Sequence, residues 1–120
     1  MSTEPTKRYA AKLLFCYRTV VPPERRPRAW TCEYRVVLLR ARCAQEALED
    51  ATQRGKATQW DTLNDEGDCV RGEFLGVVEL LCLELVAEDD AEVWYEMFED
   101  ADPDRLVPPV RELSAIRNRE

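Results

Sequence analysis

The 120-residue chain carries 17 basic and 24 acidic side chains, a formal net charge of -7 and no histidine. This acidic balance predicts no general binding to nucleic acid, because phosphate contacts need clustered Lys and Arg. Without histidine the commonest general base and transition-metal ligand are missing, so we predict neither a metal site nor a cofactor, and any enzyme would have to act through carboxylates, Lys, Tyr or Cys.

The five cysteines are widely spaced, include no C-x-x-C pair and follow no secretory signal. Such cysteine usage is typical of a cytoplasmic protein, and we expect all five side chains to lie in or near the core. The longest apolar stretch, residues 74–87, contains Glu79 and Glu84. It is too short to span a bilayer, so we predict no membrane segment.

Two strands are predicted at the start of the chain. From Tyr9 to Tyr17 apolar residues occupy alternate positions, which is the period of a strand with one buried face. Residues 20–29 hold three prolines and three arginines and predict an exposed loop. Residues 32–41 are rich in Val, Leu and Tyr and predict a second strand, antiparallel to the first.

An amphipathic helix is predicted next. Ala44, Ala47, Leu48 and Ala51 recur at helical spacing, with polar residues on the other side. Their small side chains favour close packing on a sheet. We expect the helix to end before Gly55, which would take the C′ position.

Three further strands complete the predicted sheet. Residues 57–63, with Trp60, form the third, and a polar turn leads into residues 72–86. This run is apolar on both faces, so we predict that it is the central strand, and its length predicts a bend or bulge at Gly76. Residues 92–98 are the last strand. The fold class is therefore α+β: an antiparallel sheet of four to five strands in β-β-α-β-β-β order, with one helix packed on one face.

Residues 7–100 are expected to form this single domain, after a frayed start at residues 1–6. Residues 101–120 form a linker rich in proline and acids and a short amphipathic helix, the C-terminal helical appendage. The helix presents Val110, Leu113 and Ile116. It either docks on its own domain or awaits a partner.

Two further patterns point to chemistry. Residues 62–73 follow the spacing of a calcium-binding loop, but Thr62 replaces the first acidic ligand, so we expect a plain hairpin. A cysteine nucleophile would need Arg or Lys to stabilise its thiolate, since histidine is absent. We expect Cys32 to pack in the core; the alternative is that Cys32, which follows the arginine-rich loop, is such a nucleophile.

Several segments together resemble one family. They are YAAKLLF at residues 9–15, CEYRVVL at 32–38, the helix ending in Gly55, the N-x-E-G turn, EFLGVVEL at 73–80 and EVWYE at 92–96. Their order and spacing resemble the bacterial DUF4288 family, a domain of unknown function. The resemblance implies a small β-β-α-β-β-β domain with no assigned activity, and it draws attention to Lys12 and Glu33. An ion pair between these two on neighbouring strands is the simplest expectation.

The charge is divided unevenly along the chain. Residues 1–60 hold 12 basic and 6 acidic side chains, and residues 61–120 hold 5 and 18. The acidic second half and three tryptophans favour a non-catalytic protein-binding module with a basic partner, similar to an immunity protein or antitoxin. The candidate contact residues are Trp30, Trp60, Trp94, Lys12, Glu33 and Arg35. The alternatives are a self-associating structural or accessory subunit and, less favoured, a small histidine-free enzyme.

Overall fold

A computed structural model describes residues 5–85 and 95–117. Its strands and helices are β1 (Lys7–Thr19), β2 (Trp30–Ala41), α1 (Ala44–Ala57), β3 (Trp60–Leu63), β4 (Cys69–Cys82), β5 (Tyr95–Asp100) and α2 (Ser114–Arg117). Short 3-10 helices lie at Pro23–Arg25, Leu83–Leu85, Pro103–Leu106 and Val110–Glu112. The strands form one antiparallel sheet in the order β3-β4-β1-β2-β5. The predicted α+β class and element order are confirmed.

The centre of the sheet is β1. It pairs with β2 along residues 7–17 and with β4 along residues 9–19, so both of its edges are hydrogen-bonded. β4 pairs with β3 only along residues 69–72. The prediction that residues 72–86 form the central strand was therefore wrong. This run is apolar on both faces because α1 packs on one face and the C-terminal part of the chain packs on the other.

β4 bulges on both sides of Gly76, as its length predicted. Its register against β1 shifts at two places, opposite residues 12–15. Gly76 has a φ of 156°, and a Cβ at this position would lie 2.8 Å from Cγ1 of Val107. A larger residue would therefore be strained and would collide with the chain that crosses it.

α1 covers one face of the sheet, which we call the helix face. Ala44, Ala47, Leu48 and Ala51, the residues predicted to face the sheet, are all buried. They share the main core with Tyr9, Ala11, Leu13, Phe15, Val77 and Leu80 of β1 and β4. Alanine side chains let the helix axis approach the strands closely, which explains how such a small helix closes this core.

α1 extends beyond its predicted end. Gly55 lies inside the helix, which ends at Ala57, and is not a C′ residue. A Cβ on Gly55 would lie 2.4 Å from Cε1 of Phe74, so the glycine makes room for this ring. Because the helix is longer, the third strand is shorter than predicted and begins at Trp60.

Residues 101–117, which we call the C-terminal segment, dock on the domain. Leu106 and Val107 pack on the opposite face of the sheet, whereas Leu113 and Ala115 are 1% and 0% exposed in the core of the helix face. The segment therefore passes round the edge of β4, beyond the end of β3. Val110, predicted to lie on the same helix face as Leu113, is instead 52% exposed.

The Glu79 carboxylate of β4 holds the C-terminal segment where it crosses the sheet edge. The backbone N–H and the hydroxyl of Ser114 donate to Glu79 at 2.7 and 3.0 Å. Glu79 also accepts a hydrogen bond from the N–H of Leu80 at 2.9 Å. Part of the β4 edge that β3 leaves unpaired is thus closed by side chains and by the C-terminal segment.

The cysteines are less uniformly buried than predicted. Cys16, Cys32 and Cys82 are buried, but Cys69 is partly exposed and Cys43, which precedes α1, is exposed. β5 begins at Tyr95, and the first residues of the predicted last strand lie outside the described part of the chain. Within the described residues, no helix has the length and apolar content needed to cross a membrane.

Candidate functional site

Four side chains of the helix face lie beyond the cover of α1: Tyr17, Glu33, Arg35 and Trp60. We call this surface the platform. Strand register brings them together, because directly opposed residues share a face of the sheet. Tyr17 and Trp60 are both opposite Gly72, and Glu33 and Arg35 are opposite Phe15 and Leu13 of the same face.

Trp60 lies across β4 against Tyr17. The two ring centroids are 5.7 Å apart, with 35° between the ring planes. Gly72 lies beneath the indole, and a Cβ on it would be 2.7 Å from Cε2 of Trp60. The missing side chain at residue 72 therefore lets the indole reach β1, and 41% of Trp60 remains exposed.

Glu33 organises the polar half of the platform. It is 7% exposed and accepts hydrogen bonds from the Tyr17 hydroxyl at 2.5 Å and from Nε of Arg35 at 2.6 Å. The Arg35 guanidinium also lies over the Phe15 ring, 5.1 Å from its centroid. A buried carboxylate without partners would be costly, so these bonds hold all three side chains in one arrangement.

The protonation states follow from these contacts. Burial, followed by the hydrogen bond to Glu33 and its charge, raises the pKa of Tyr17. Burial lowers the pKa of Arg35, but its hydrogen bond to Glu33 and the charge of that carboxylate outweigh this effect and raise it overall. At neutral pH the platform therefore presents a neutral phenol, a fixed guanidinium and an indole face.

The structure unites three of the six predicted contact residues and separates the others. Trp60, Glu33 and Arg35 lie on the platform, but Lys12 and Trp30 belong to the opposite face. The predicted ion pair between Lys12 and Glu33 was wrong, because Lys12 is opposite Val36 and Glu33 is opposite Phe15. These two register positions lie on different faces of the sheet.

The remaining candidates have other surroundings. Lys12 Nζ lies 4.2 Å from the centroid of the Tyr34 ring. Trp30 is partly buried and packs against the smaller core on the opposite face of the sheet, which is formed by Leu14, Cys16 and Cys32. The Arg18 guanidinium lies 6.0 Å from its ring. Trp94 lies outside the described residues. The sequence interpretation missed Tyr17, although the alternation in β1 places it on the same face as Phe15.

A cleft of about 350 Å3 opens on the opposite face, between the proline-rich loop and the C-terminal segment. Arg18 lies in its wall, donates to Asp104 at 2.8 Å and is 3.6 Å from Glu73. The cleft is also lined by Arg26, Trp30, Arg71 and Asp102. Its charges are mixed, so the cleft by itself selects no class of ligand.

Cys32 does not have the surroundings of a nucleophile. Its thiol is 0% exposed and donates to the Trp30 carbonyl oxygen at 3.4 Å. Burial, and then the neighbouring Cys16, raise the pKa of Cys32 to about 12, which is the reverse of what an activated thiolate requires. The expected packing of Cys32 in the core is confirmed, and its surroundings do not support the alternative of a nucleophile.

The loop that imitates a calcium site is a hairpin turn. The Asn64 side chain accepts hydrogen bonds from the N–H groups of Glu66 and Asp68, and Gly67 has a φ of 81°. β3 and β4 pair directly on either side of this turn. The predicted hairpin is confirmed.

Comparison with known proteins gives one match. The model of the DUF4288 family, described as a domain of unknown function, matches residues 9–95. Neither the search of curated proteins nor that of solved structures returns a match. The matched residues include β1 from residue 9 onward and all of β2, α1, β3 and β4, and therefore every residue of the platform. The protein belongs to the DUF4288 family.

Proposed function

We propose that this chain is a protein-binding domain and that the platform is its contact surface. The exposed indole of Trp60 is the observation that carries the proposal, because 41% of a large aromatic residue faces solvent while its ring is held against Tyr17. Trp, Tyr and Arg are the residue types most enriched among those that dominate binding energy at protein interfaces. The platform combines all three.

The rigidity of the platform supports the same function. Arg35 is fixed by Glu33 and by the Phe15 ring, yet 41% of its side chain is exposed. A guanidinium has five N–H donors, so one bond to Glu33 leaves others for carbonyl or carboxylate groups of a partner. Because the side chain is already ordered, binding loses less conformational entropy than it would at a mobile arginine.

The charge of the chain favours a basic partner. Ion pairs join the basic first half to the acidic second half at Arg8–Glu84, Arg18–Asp104 and Arg25–Asp68. The net charge is still -7, and exposed acids flank Trp60 in the β3–β4 hairpin, namely Asp61, Asp65 and Glu66. A basic nuclease or toxin, neutralised as by an immunity protein or antitoxin, has the required chemistry. The five free cysteines support a cytoplasmic location for this encounter.

The test compares which proteins are captured by three tagged versions of the chain from native extracts of the cells that naturally contain it. Wild type and Val110→Ala, a control substitution at a 52% exposed residue that is not part of the platform, should capture the same basic protein. Trp60→Ala should weaken its affinity roughly 30-fold or more, the effect of losing an interface hot spot. Binding should also weaken as salt is raised.

Two results would refute these claims separately. If Trp60→Ala binds the captured protein as tightly as wild type does, the platform is not the contact surface. If the folded wild-type chain captures no protein at low salt, the protein-binding function itself is wrong.

Self-association is a second candidate, favoured by an apolar row on the opposite face. Leu38 and Leu81 are 47% and 42% exposed and flank Ala10 across three neighbouring strands. Light scattering over a range of concentrations should then show a dimer that Leu38→Lys converts to a monomer. A monomeric wild type at every concentration would exclude this candidate.

A further inference from the structure

Two thiols that the proposed binding surface does not use lie side by side in the sheet. Cys16 of β1 and Cys32 of β2 are directly opposite each other in the antiparallel register, and both are 0% exposed. Paired strands hold opposed Cα atoms about 4.5–5.5 Å apart, which is within the range that a disulfide bridges. We propose that Cys16 and Cys32 are a disulfide-forming site that hydrogen peroxide oxidises.

The hydrogen bonds around the two sulfur atoms assign them different roles. Nε of Arg18 donates to Sγ of Cys16 at 3.3 Å, whereas Sγ of Cys32 donates to the Trp30 carbonyl oxygen at 3.4 Å. A guanidinium binds a negatively charged acceptor more strongly than a neutral one. Arg18 can therefore stabilise the negative charge that develops on the Cys16 sulfur as this sulfur attacks the oxidant, and Cys32 is the thiol that resolves the intermediate.

The titration of Cys32 agrees with this assignment. Burial, followed by the charge and hydrogen bond of Cys16, raises the pKa of Cys32 to about 12. Cys32 therefore keeps its proton at neutral pH, and a protonated thiol is a poor nucleophile toward a peroxide. The first step belongs to the other sulfur.

The oxidation balances with hydrogen peroxide as the two-electron oxidant. The Cys16 sulfur attacks one peroxide oxygen, the O–O bond breaks, and the leaving hydroxide takes the Cys16 proton to become water. The Cys32 sulfur then attacks the sulfenic sulfur of Cys16. The S–S bond forms as the S–O bond breaks, and the hydroxyl group leaves with the Cys32 proton as a second water.

The cleft on the opposite face provides the route to the pair. Arg18 and Trp30 both line this cleft. The Arg18 side chain donates to the Cys16 sulfur, and the Trp30 carbonyl oxygen accepts a hydrogen bond from the Cys32 thiol. The Arg18 side chain is 27% exposed and contacts the sulfur of Cys16, which is itself 0% exposed. Peroxide must wait for this side chain to move, so the pair reacts more slowly than the exposed Cys43.

The bridge would tie β1 to β2 at the base of the proline-rich loop. It would close a loop over residues 17–31 in the unfolded chain and restrict its conformations. Oxidation should therefore raise the melting temperature by roughly 5–10 °C.

The experiment uses a full-length chain in which Cys43→Ser, Cys69→Ser and Cys82→Ala leave the opposed pair alone. After hydrogen peroxide treatment in native buffer, its intact mass should fall by about 2 Da, the mass of two hydrogen atoms. Once the treated chain is unfolded in denaturant, its thiols should not react with iodoacetamide until dithiothreitol is added. In oxidised wild type, peptide mapping should recover the same Cys16–Cys32 link, which keeps the test valid if the triple variant folds poorly.

A matched control keeps Cys32 and Cys82 as its two cysteines. Both are buried, but Cys82 is opposite Tyr9, far along the sheet from Cys32, so no bridge should form. The proposal is overturned if wild type and triple variant still keep both thiols free after treatment continued well beyond the time that fully oxidises Cys43 in wild type. It is also overturned if the pair gains oxygen atoms without bridging, or if the control bridges equally fast.

Discussion

Replacing Leu113 by alanine tests whether the C-terminal segment is part of the core. Leu113 is 1% exposed and shares the core of the helix face with α1 and β4. The substitution removes three carbon groups at about 0.8 kcal/mol each, or about 2.4 kcal/mol of transfer free energy. The cavity left behind adds to this, so we expect the free energy of unfolding to fall by about 2.5–4 kcal/mol.

The measurement is equilibrium unfolding in urea, followed by circular dichroism, for wild type, Leu113→Ala and Val110→Ala. Val110 belongs to the same segment but is 52% exposed, so its substitution should change the free energy of unfolding by no more than about 0.5 kcal/mol. The slope of free energy against urea should be similar in all three, since the same surface unfolds. Equal stability of the two variants would show that the segment does not dock.

Three further predictions concern the glycines of β4 and the platform. Gly76→Ala should lower the free energy of unfolding in urea by about 2–4 kcal/mol, because a φ of 156° is strained for alanine and the new Cβ would meet Val107. This loss should be smaller in a Val107→Ala background, and an unchanged loss would contradict the contact with Val107. Gly72→Ala should shift the indole N–H resonance of Trp60 in a nitrogen–proton spectrum, since its Cβ would lie 2.7 Å from that ring; an unmoved resonance would show that the indole does not lie over residue 72. The pKa of Tyr17 in the folded protein is raised from 10.0, so the unfolded state releases this proton first, and the free energy of unfolding should fall as pH rises above 10.0. In urea unfolding from about pH 8 to pH 11, Tyr17→Phe should lack this part of the fall. Identical pH profiles for wild type and Tyr17→Phe would refute the raised pKa.

Most of the fold could be predicted because its strands and its main helix each have a characteristic spacing of apolar residues along the chain. Alternation from Tyr9 to Tyr17 reflects the two-residue period of a strand, and the alanines of α1 reflect the helical period. The bulges around Gly76 followed from the length of one apolar run. The end of α1 could not be predicted, because Gly55 serves a contact with Phe74 that lies 19 positions further along the chain.

The platform shows where prediction from local patterns stops. Trp60, Glu33 and Arg35 could be chosen as candidates by residue type, but their contact depends on the pairing of β1 with β2 and β4. Tyr17 was missed because only this register brings its hydroxyl to Glu33 and its ring to Trp60. The same register separates Lys12 from Glu33, although both lie on neighbouring strands.

The amino-acid sequence by itself determined the kind and order of the secondary structure elements, the helix that covers the sheet and the family to which the chain belongs. Those properties depend on residues close together in the chain, where backbone geometry imposes fixed periods. Only the tertiary structure decided that β1 is central, that Leu113 completes the core and that Cys16 faces Cys32. A shift of one residue in pairing would move every side chain of a strand to the other face, so these relations exist only once distant strands have paired.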